Sequence, residues 1–196
     1  MKHLLITGFD PFGGEAINPS WEAVSRLPDI IGDYRLTKLQ IPTVFATAAQ
    51  TVLAAAELDE PDVILCVGQA GGRDSVTPER IAINMASAKN PDNAGNQPVE
   101  SHITPDGPDG IFATVPVCAM AQAITAAGLP GKISNTAGTF VCNDTLYRLL
   151  RHYAGSHVRV GFVHVPWLPQ QTRENGPAMS LADMIAALTA AIGALG

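Results

Sequence analysis

Val63-Ile64-Leu65-Cys66-Val67 is apolar at every position. A short run without polar alternation is the pattern of a central strand buried on both faces, and it calls for a parallel sheet with helices above and below. Outward from it, strand-like and helix-like segments alternate. His3–Thr7, Leu36–Ile41, Arg80–Asn84, Lys132–Ser134 and Val158–His164 read as further strands. Ser20–Leu27, Val44–Leu58, Val117–Ala127, Asp144–Ala154 and Ser180–Leu195 read as helices. Thr43 and Ser180 are placed as caps, and Ser180 with Asp183 makes a capping box. Gly161, between Val160 and Phe162, suits a close helix approach. The expected fold is a three-layer α/β/α sandwich with a mostly parallel, mixed central sheet, built as a single domain over residues 1–196.

Bulk properties narrow the function. Hydrophobic residues make up 46% and charged residues 15% of the 196 positions, which indicates a packed core and argues against disorder. A net charge of −6 without any basic run gives no footing for nucleic acid. The start, Met1-Lys2-His3-Leu4-Leu5-Ile6-Thr7-Gly8, is too short in apolar residues for a signal peptide, and no run approaches the roughly 20 residues that span a bilayer. Cys66, Cys118 and Cys142 form an odd set without Cys-x-x-Cys spacing, as expected of reduced thiols in a cytoplasm. The five histidines are scattered with no metal-ligand pair. Neither a metal nor a cofactor is expected.

Ser134-Asn135-Thr136-Ala137-Gly138-Thr139-Phe140-Val141-Cys142-Asn143-Asp144 carries the chemical signal. It sets Cys142 where a glycine-containing turn meets a helix, with Asn143, Asp144 or Thr145 as the capping residue. Unpaired amides and the positive end of a helix dipole there favour a thiolate and can receive an oxyanion. The plainer alternative is a buried structural cysteine. A thiol nucleophile needs a base and a group to orient that base. His164, at the end of an apolar strand, is the base candidate, and a hydrogen-bonded core histidine is its alternative. Glu79 follows the loop Gly68–Pro78 and precedes the alternation Ile81–Asn84, so it can be held near the core; paired with Arg80 it would instead be a solvated surface charge. Gly68–Gly72 is neither a dinucleotide fingerprint nor a Walker loop. The irregular stretches Gly8–Pro19 and Ala86–Gly110 are long enough to be functional loops.

Taken together, several blocks resemble the pyroglutamyl peptidase type I family, also called pyrrolidone carboxyl peptidases. They are Gly8-Phe9-Asp10-Pro11-Phe12-Gly13-Gly14 with Asn18-Pro19-Ser20, Gly68–Arg73, Pro78–Asn84, Pro91–Pro98, Ser134–Asn143 and Phe162–Pro166, in family order over nearly the whole chain. The resemblance implies Cys142 as nucleophile, His164 as general base and then acid, and Glu79 as the residue orienting His164. It further implies a ring pocket of Phe9, Phe12 and Phe140 with Thr43 nearby, and Gln69 as a reader of the lactam. Lys89-Asn90 stand where the family often has Arg-Ile: the lysine keeps charge near the oxyanion region but loses the planar fork, and Asn90 replaces an apolar pocket residue. Asp144 stands where histidine is common. Peptides bearing N-terminal pyroglutamate are the implied substrates, and a homotetramer the implied assembly. The rival is a binding module of the same fold whose chemistry has lapsed.

Such a substrate makes physical sense of those residue types. Pyroglutamate has no free α-amine, so a carboxylate for an ammonium would gain nothing. Its flat lactam offers one N–H and one C=O on an otherwise apolar ring. Proline lacks the ring carbonyl and would leave a buried donor unpaired, a penalty of roughly 1–3 kcal/mol.

Overall fold

The computed structural model describes residues 1–172 and 176–196. Eight strands and five helices are present among them: β1 (Lys2–Phe9), α1 (Pro19–Ser25), β2 (Ile30–Ile31), β3 (Tyr34–Ile41), α2 (Thr47–Asp59), β4 (Val63–Gln69), β5 (Thr77–Pro78), β6 (Ile81–Ile83), β7 (Gly110–Phe112), α3 (Val117–Ala126), α4 (Val141–His152), β8 (Arg159–Val165) and α5 (Leu181–Gly193). Six strands form one sheet in the order β2-β3-β1-β4-β8-β5. β3, β1, β4 and β8 run parallel, while β2 and β5 close the two edges antiparallel. No helix is long and apolar enough to cross a membrane among the described residues.

The α/β architecture follows from the strand pattern. β4 is buried from Val63 through Gly68 and feeds two cores at once. Val63, Leu65 and Val67 join Leu4 and Ile6 of β1 beneath α1, α3 and α5. Ile64 and Cys66 join Leu5 and Phe9 beneath α2 and α4 on the opposite face. Residues on alternate sides of a strand thus bury against different helix layers, which an all-apolar strand requires. From β1 the chain passes through α1 to one side, and from β3 it returns through α2 to the other. The sheet therefore reverses direction beside β1, and a crevice opens at the carboxyl ends of β1, β4 and β8.

Some local expectations are corrected. Arg80–Asn84 is not in the main sheet; Ile81–Ile83 pairs with Gly110–Phe112 in a separate ribbon. Lys132–Ser134 forms no strand, only isolated bridges, Val76 to Gly131 and Glu79 to Ser134. Thr43 caps nothing: α2 starts after Ala46, held at a φ of 59°. The amide of Ala46 donates instead to Asp144 Oδ2, 98 residues away, at 2.8 Å. Gly161 does make room, but for Val115 in the connection preceding α3. Ser180 caps α5 as expected, accepting from the Asp183 amide.

Candidate active site

The candidate nucleophile is placed by α4. This helix begins at Val141 with Phe140 as its N-cap and no side chain capping it, so its start lies before Asn143, Asp144 and Thr145. Each of those three has other work. Asn143 is buried, accepts from the Ile83 amide at 2.9 Å and donates to the carbonyls of Ile83 and Met85. Asp144 bonds the Ala46 amide and Arg148, and burial pushes its carboxyl above the ordinary range. Thr145 donates to the Val141 carbonyl. The first-turn amides of α4 are consequently left for a ligand at Cys142.

Cys142 faces the floor of the crevice. A Cβ placed on Gly68 would stand 3.0 Å from Cys142 Sγ and 2.8 Å from the Phe162 ring, so the absence of a side chain at Gly68 lets the thiol seat there. Burial, and then the charge of Glu79, push the Cys142 thiol up from 9.0 to about 12. This acts against the start of α4, whose amides and dipole favour a thiolate.

β8 supplies the other partner. His164 is paired with Gly68 of β4 on one side and Thr77 of β5 on the other, and it is buried. The antiparallel pairing of β5 carries the chain past β8, where the Glu79 amide donates to the Phe162 carbonyl at 2.9 Å. Glu79 Oε1 then stands 2.7 Å from His164 Nδ1. Glu79 is wholly buried, which excludes the solvated pair with Arg80. Burial alone would raise its carboxyl, but its pairing with His164, together with hydrogen bonds from Ser134 and Arg73, holds it below its ordinary value. With Nδ1 engaged by a carboxylate, the imidazole carries its proton there and leaves Nε2 as the basic face.

The sequence reading missed Arg73. Its Nη1 donates to Glu79 Oε1 at 2.7 Å and to Thr77 Oγ1, and its Nη2 reaches the Thr136 carbonyl at 3.2 Å. A glutamate held in the core needs a cation, and the arginine that supplies it lies six residues upstream rather than next in the chain, as Arg80 does.

Cys142, His164 and Arg73 open onto one cleft of about 250 Å³, together with Phe9, Phe12, Asn18, Thr43, Gln69, Ala70, Ala137 and Phe140. Phe12 and Phe140 stand with ring centres 6.0 Å apart, and Phe45, also missed, packs edge-on behind Phe140 at 5.3 Å. Asn18 caps α1 through the Ser20 amide, and Ser20 Oγ accepts from the Phe9 amide, which fixes the β1 end. Thr43 is buried and bound to Asp10. Lys89 and Asn90 are not brought into this cleft. They line an adjoining one that shares Phe12 and Phe140 as its wall. The loop bearing them is clasped by Asp92, which accepts from the amides of Phe45, Ala94 and Asn96. Among the described residues no group of three His, Cys, Asp or Glu side chains stands together to hold a metal ion.

Comparison with known proteins covers the chain from end to end. A family model described as pyroglutamyl peptidase matches residues 2–196. The pyrrolidone-carboxylate peptidase of Levilactobacillus brevis is 53% identical, over 98% of this chain and 96% of that protein. That of Lactobacillus helveticus is 50% identical over 96% of each. Among solved structures, pyroglutamyl peptidase I of Bacillus amyloliquefaciens superposes with a TM-score of 0.96 at 44% identity, covering 100% of this chain and 97% of that one. The pyrrolidone carboxyl peptidase of Thermococcus litoralis gives 0.94 at 33% identity, covering 100% and 93%.

Proposed function

Because the chain belongs to the pyroglutamyl peptidase family, we propose that it is a cysteine peptidase that removes N-terminal pyroglutamate from peptides through an S-acyl intermediate. The observation that carries this reading is the convergence of Cys142 and the Glu79–His164 pair, joined at 2.7 Å, on one aromatic-lined cleft.

The steps follow from the groups present. His164 Nε2 takes the Sγ proton as sulfur attacks the scissile carbonyl carbon. Glu79 stabilises the imidazolium that results, while Arg73 stays paired to the same carboxylate. Negative charge develops on the carbonyl oxygen, where the uncapped amides at the start of α4 donate to it. His164 Nε2–H then protonates the departing amine, and the shortened peptide leaves. Water attacks the thioester, giving its proton to Nε2; pyroglutamate departs and Sγ recovers its proton. Phe9, Phe12 and Phe140 bury the lactam ring, with Thr43 and Gln69 at its polar edge. Lys89 and Asn90 act from behind the Phe12–Phe140 wall.

Residues 1–196 act as a single peptidase domain. A thiol nucleophile beside two other unpaired cysteines suits a reducing cytoplasm, and a homotetramer is the assembly proposed from the family resemblance. Hydrolysis of a pyroglutamyl coumarin amide, compared with a prolyl coumarin amide and with free lactams, tests the activity. Turnover of the pyroglutamyl amide alone is expected. Lactam binding without turnover would leave a binding module, and turnover of free lactams a small-molecule amidase.

A further inference from the structure

Gln171 lies outside the cleft, in the 3-10 turn Pro169–Gln171 that follows β8, and is only 8% exposed. Its side chain bridges three segments. Gln171 Oε1 accepts from the Leu168 amide at 3.1 Å. Gln171 Nε2 donates to the Ile17 carbonyl at 3.4 Å and to Gln69 Oε1 at 3.2 Å. A side-chain amide can be turned end for end, but this one is anchored by two backbone groups of fixed polarity. The Leu168 N–H demands an oxygen and the Ile17 C=O demands a nitrogen. The orientation of Gln171 is therefore determined, and it determines the orientation of Gln69 in turn: Oε1 is taken inward, and Nε2 remains. Among the described residues no protein acceptor takes Gln69 Nε2, nor is that atom among the buried unpaired ones. Gln69 itself lines the cleft at the end of β4.

From this geometry we infer that Gln171 is a positioning residue for substrate specificity, holding the Gln69 amide so that the cleft presents an N–H donor to the ring carbonyl of a lactam. The inference rests on the pyroglutamyl reading above. It explains how the site distinguishes a lactam from a pyrrolidine ring, since only the lactam has an acceptor for that donor. Without Gln171 the Gln69 amide could turn and offer oxygen to oxygen, leaving both unpaired in a desolvated pocket.

Gln171→Glu tests it. The carboxylate still accepts from Leu168 but can only accept from Gln69, so the Gln69 amide turns and directs Oε1 at the substrate. For the pyroglutamyl coumarin amide KM is expected to rise about 10-fold or more, with kcat changed by less than about 3-fold. The inhibition constant of 2-pyrrolidone should rise in parallel. Alkylation of Cys142 by iodoacetamide should keep its rate, since the triad is untouched. Gln171→Met, which merely releases Gln69, should show a milder rise of about 3-fold and guards against misfolding of the charged variant. In a Gln69→Ala background, Gln171→Glu should add nothing. A folded Gln171→Glu protein with unchanged KM and inhibition constant overturns the inference, as does an equal loss with and without Gln69. A wild-type protein inactive on the pyroglutamyl amide would instead overturn the activity itself.

Discussion

The interior of β4 and the first turn of α4 each present a cysteine to the same core, and burial pushes Cys66 and Cys142 alike up to about 12. Burial therefore acts on both thiols in the same direction. Their surroundings separate them. Cys66 is fully enclosed between sheet and helices, whereas Cys142 opens onto the cleft with His164 and stands over the side-chain-free Gly68. The contrast teaches that the two sulfurs differ in what they face: a closed core at Cys66, and at Cys142 an open cleft shared with His164. A thiol of ordinary or even raised pKa suffices when its proton has somewhere to go during attack.

The strongest break in the comparison is substitution of each sulfur. Cys142→Ser is expected to lower kcat on the pyroglutamyl coumarin amide by about 10⁴-fold or more, while Cys66→Ala keeps near-normal turnover. Peptide mapping after iodoacetamide provides the direct check: preferential labelling of Cys66 or Cys118 with activity lost in step would relocate the nucleophile. Next in size comes the base. His164→Ala should cost about 10²–10⁴-fold in kcat, and Glu79→Gln less, because the amide still accepts from Nδ1 but carries no charge for the imidazolium. Wild-type kcat in Glu79→Gln would reduce Glu79 to a structural residue.

A smaller change erodes the space. Gly68→Ala puts a methyl 2.8 Å from Phe162 and 3.0 Å from Cys142 Sγ. We expect about 1–3 kcal/mol of destabilisation in urea unfolding and a kcat reduced by about 10-fold, as the sulfur is displaced from its line of attack. Unaltered kinetics would show that the seat beneath the thiol is loose. The smallest effect concerns pH. In an unfolded chain a thiol ionises near 9.0, and in the fold Cys66 does so only at about 12. The unfolded state then binds fewer protons through that interval, so the stabilisation is complete below pH 9 and is lost as pH rises toward 12. Cys66→Ala should flatten the decline by about 1.4 kcal/mol per pH unit above pH 9. Unfolding curves at pH 8.5, 9.5 and 10.5 measure it, and equal slopes would contradict the enclosure of Cys66.

How legible the molecule was in its sequence depended on the range of the interaction concerned. Val63–Val67 announced a doubly buried strand through its own composition, and Ser180 announced a cap through a hydroxyl acting three residues away. The start of α4 was misplaced because Phe140 and Val141 carry no capping signal, and the polar residues after them serve β6 and α2. Thr43 looked like a cap because the group acting at the start of α2, Asp144, lies far along the chain. Thr77–Pro78 was too short to show any period, although its pairing with β8 is what delivers Glu79. Arg73 and Gln171 went unassigned for the same reason, since each acts only through a partner from another segment.

By itself, then, the sequence determined the layered α/β class, the order of the principal strands and helices, and the identities of Cys142, His164 and Glu79 as candidates, because hydrophobic period and residue chemistry are local properties. Only the tertiary structure decided which cation meets Glu79, which end of the Gln69 amide faces the cleft, and that Lys89 and Asn90 stand behind the aromatic wall. Those are matters of burial and of hydrogen-bond direction between distant segments, and neither exists until the chain has closed around the site.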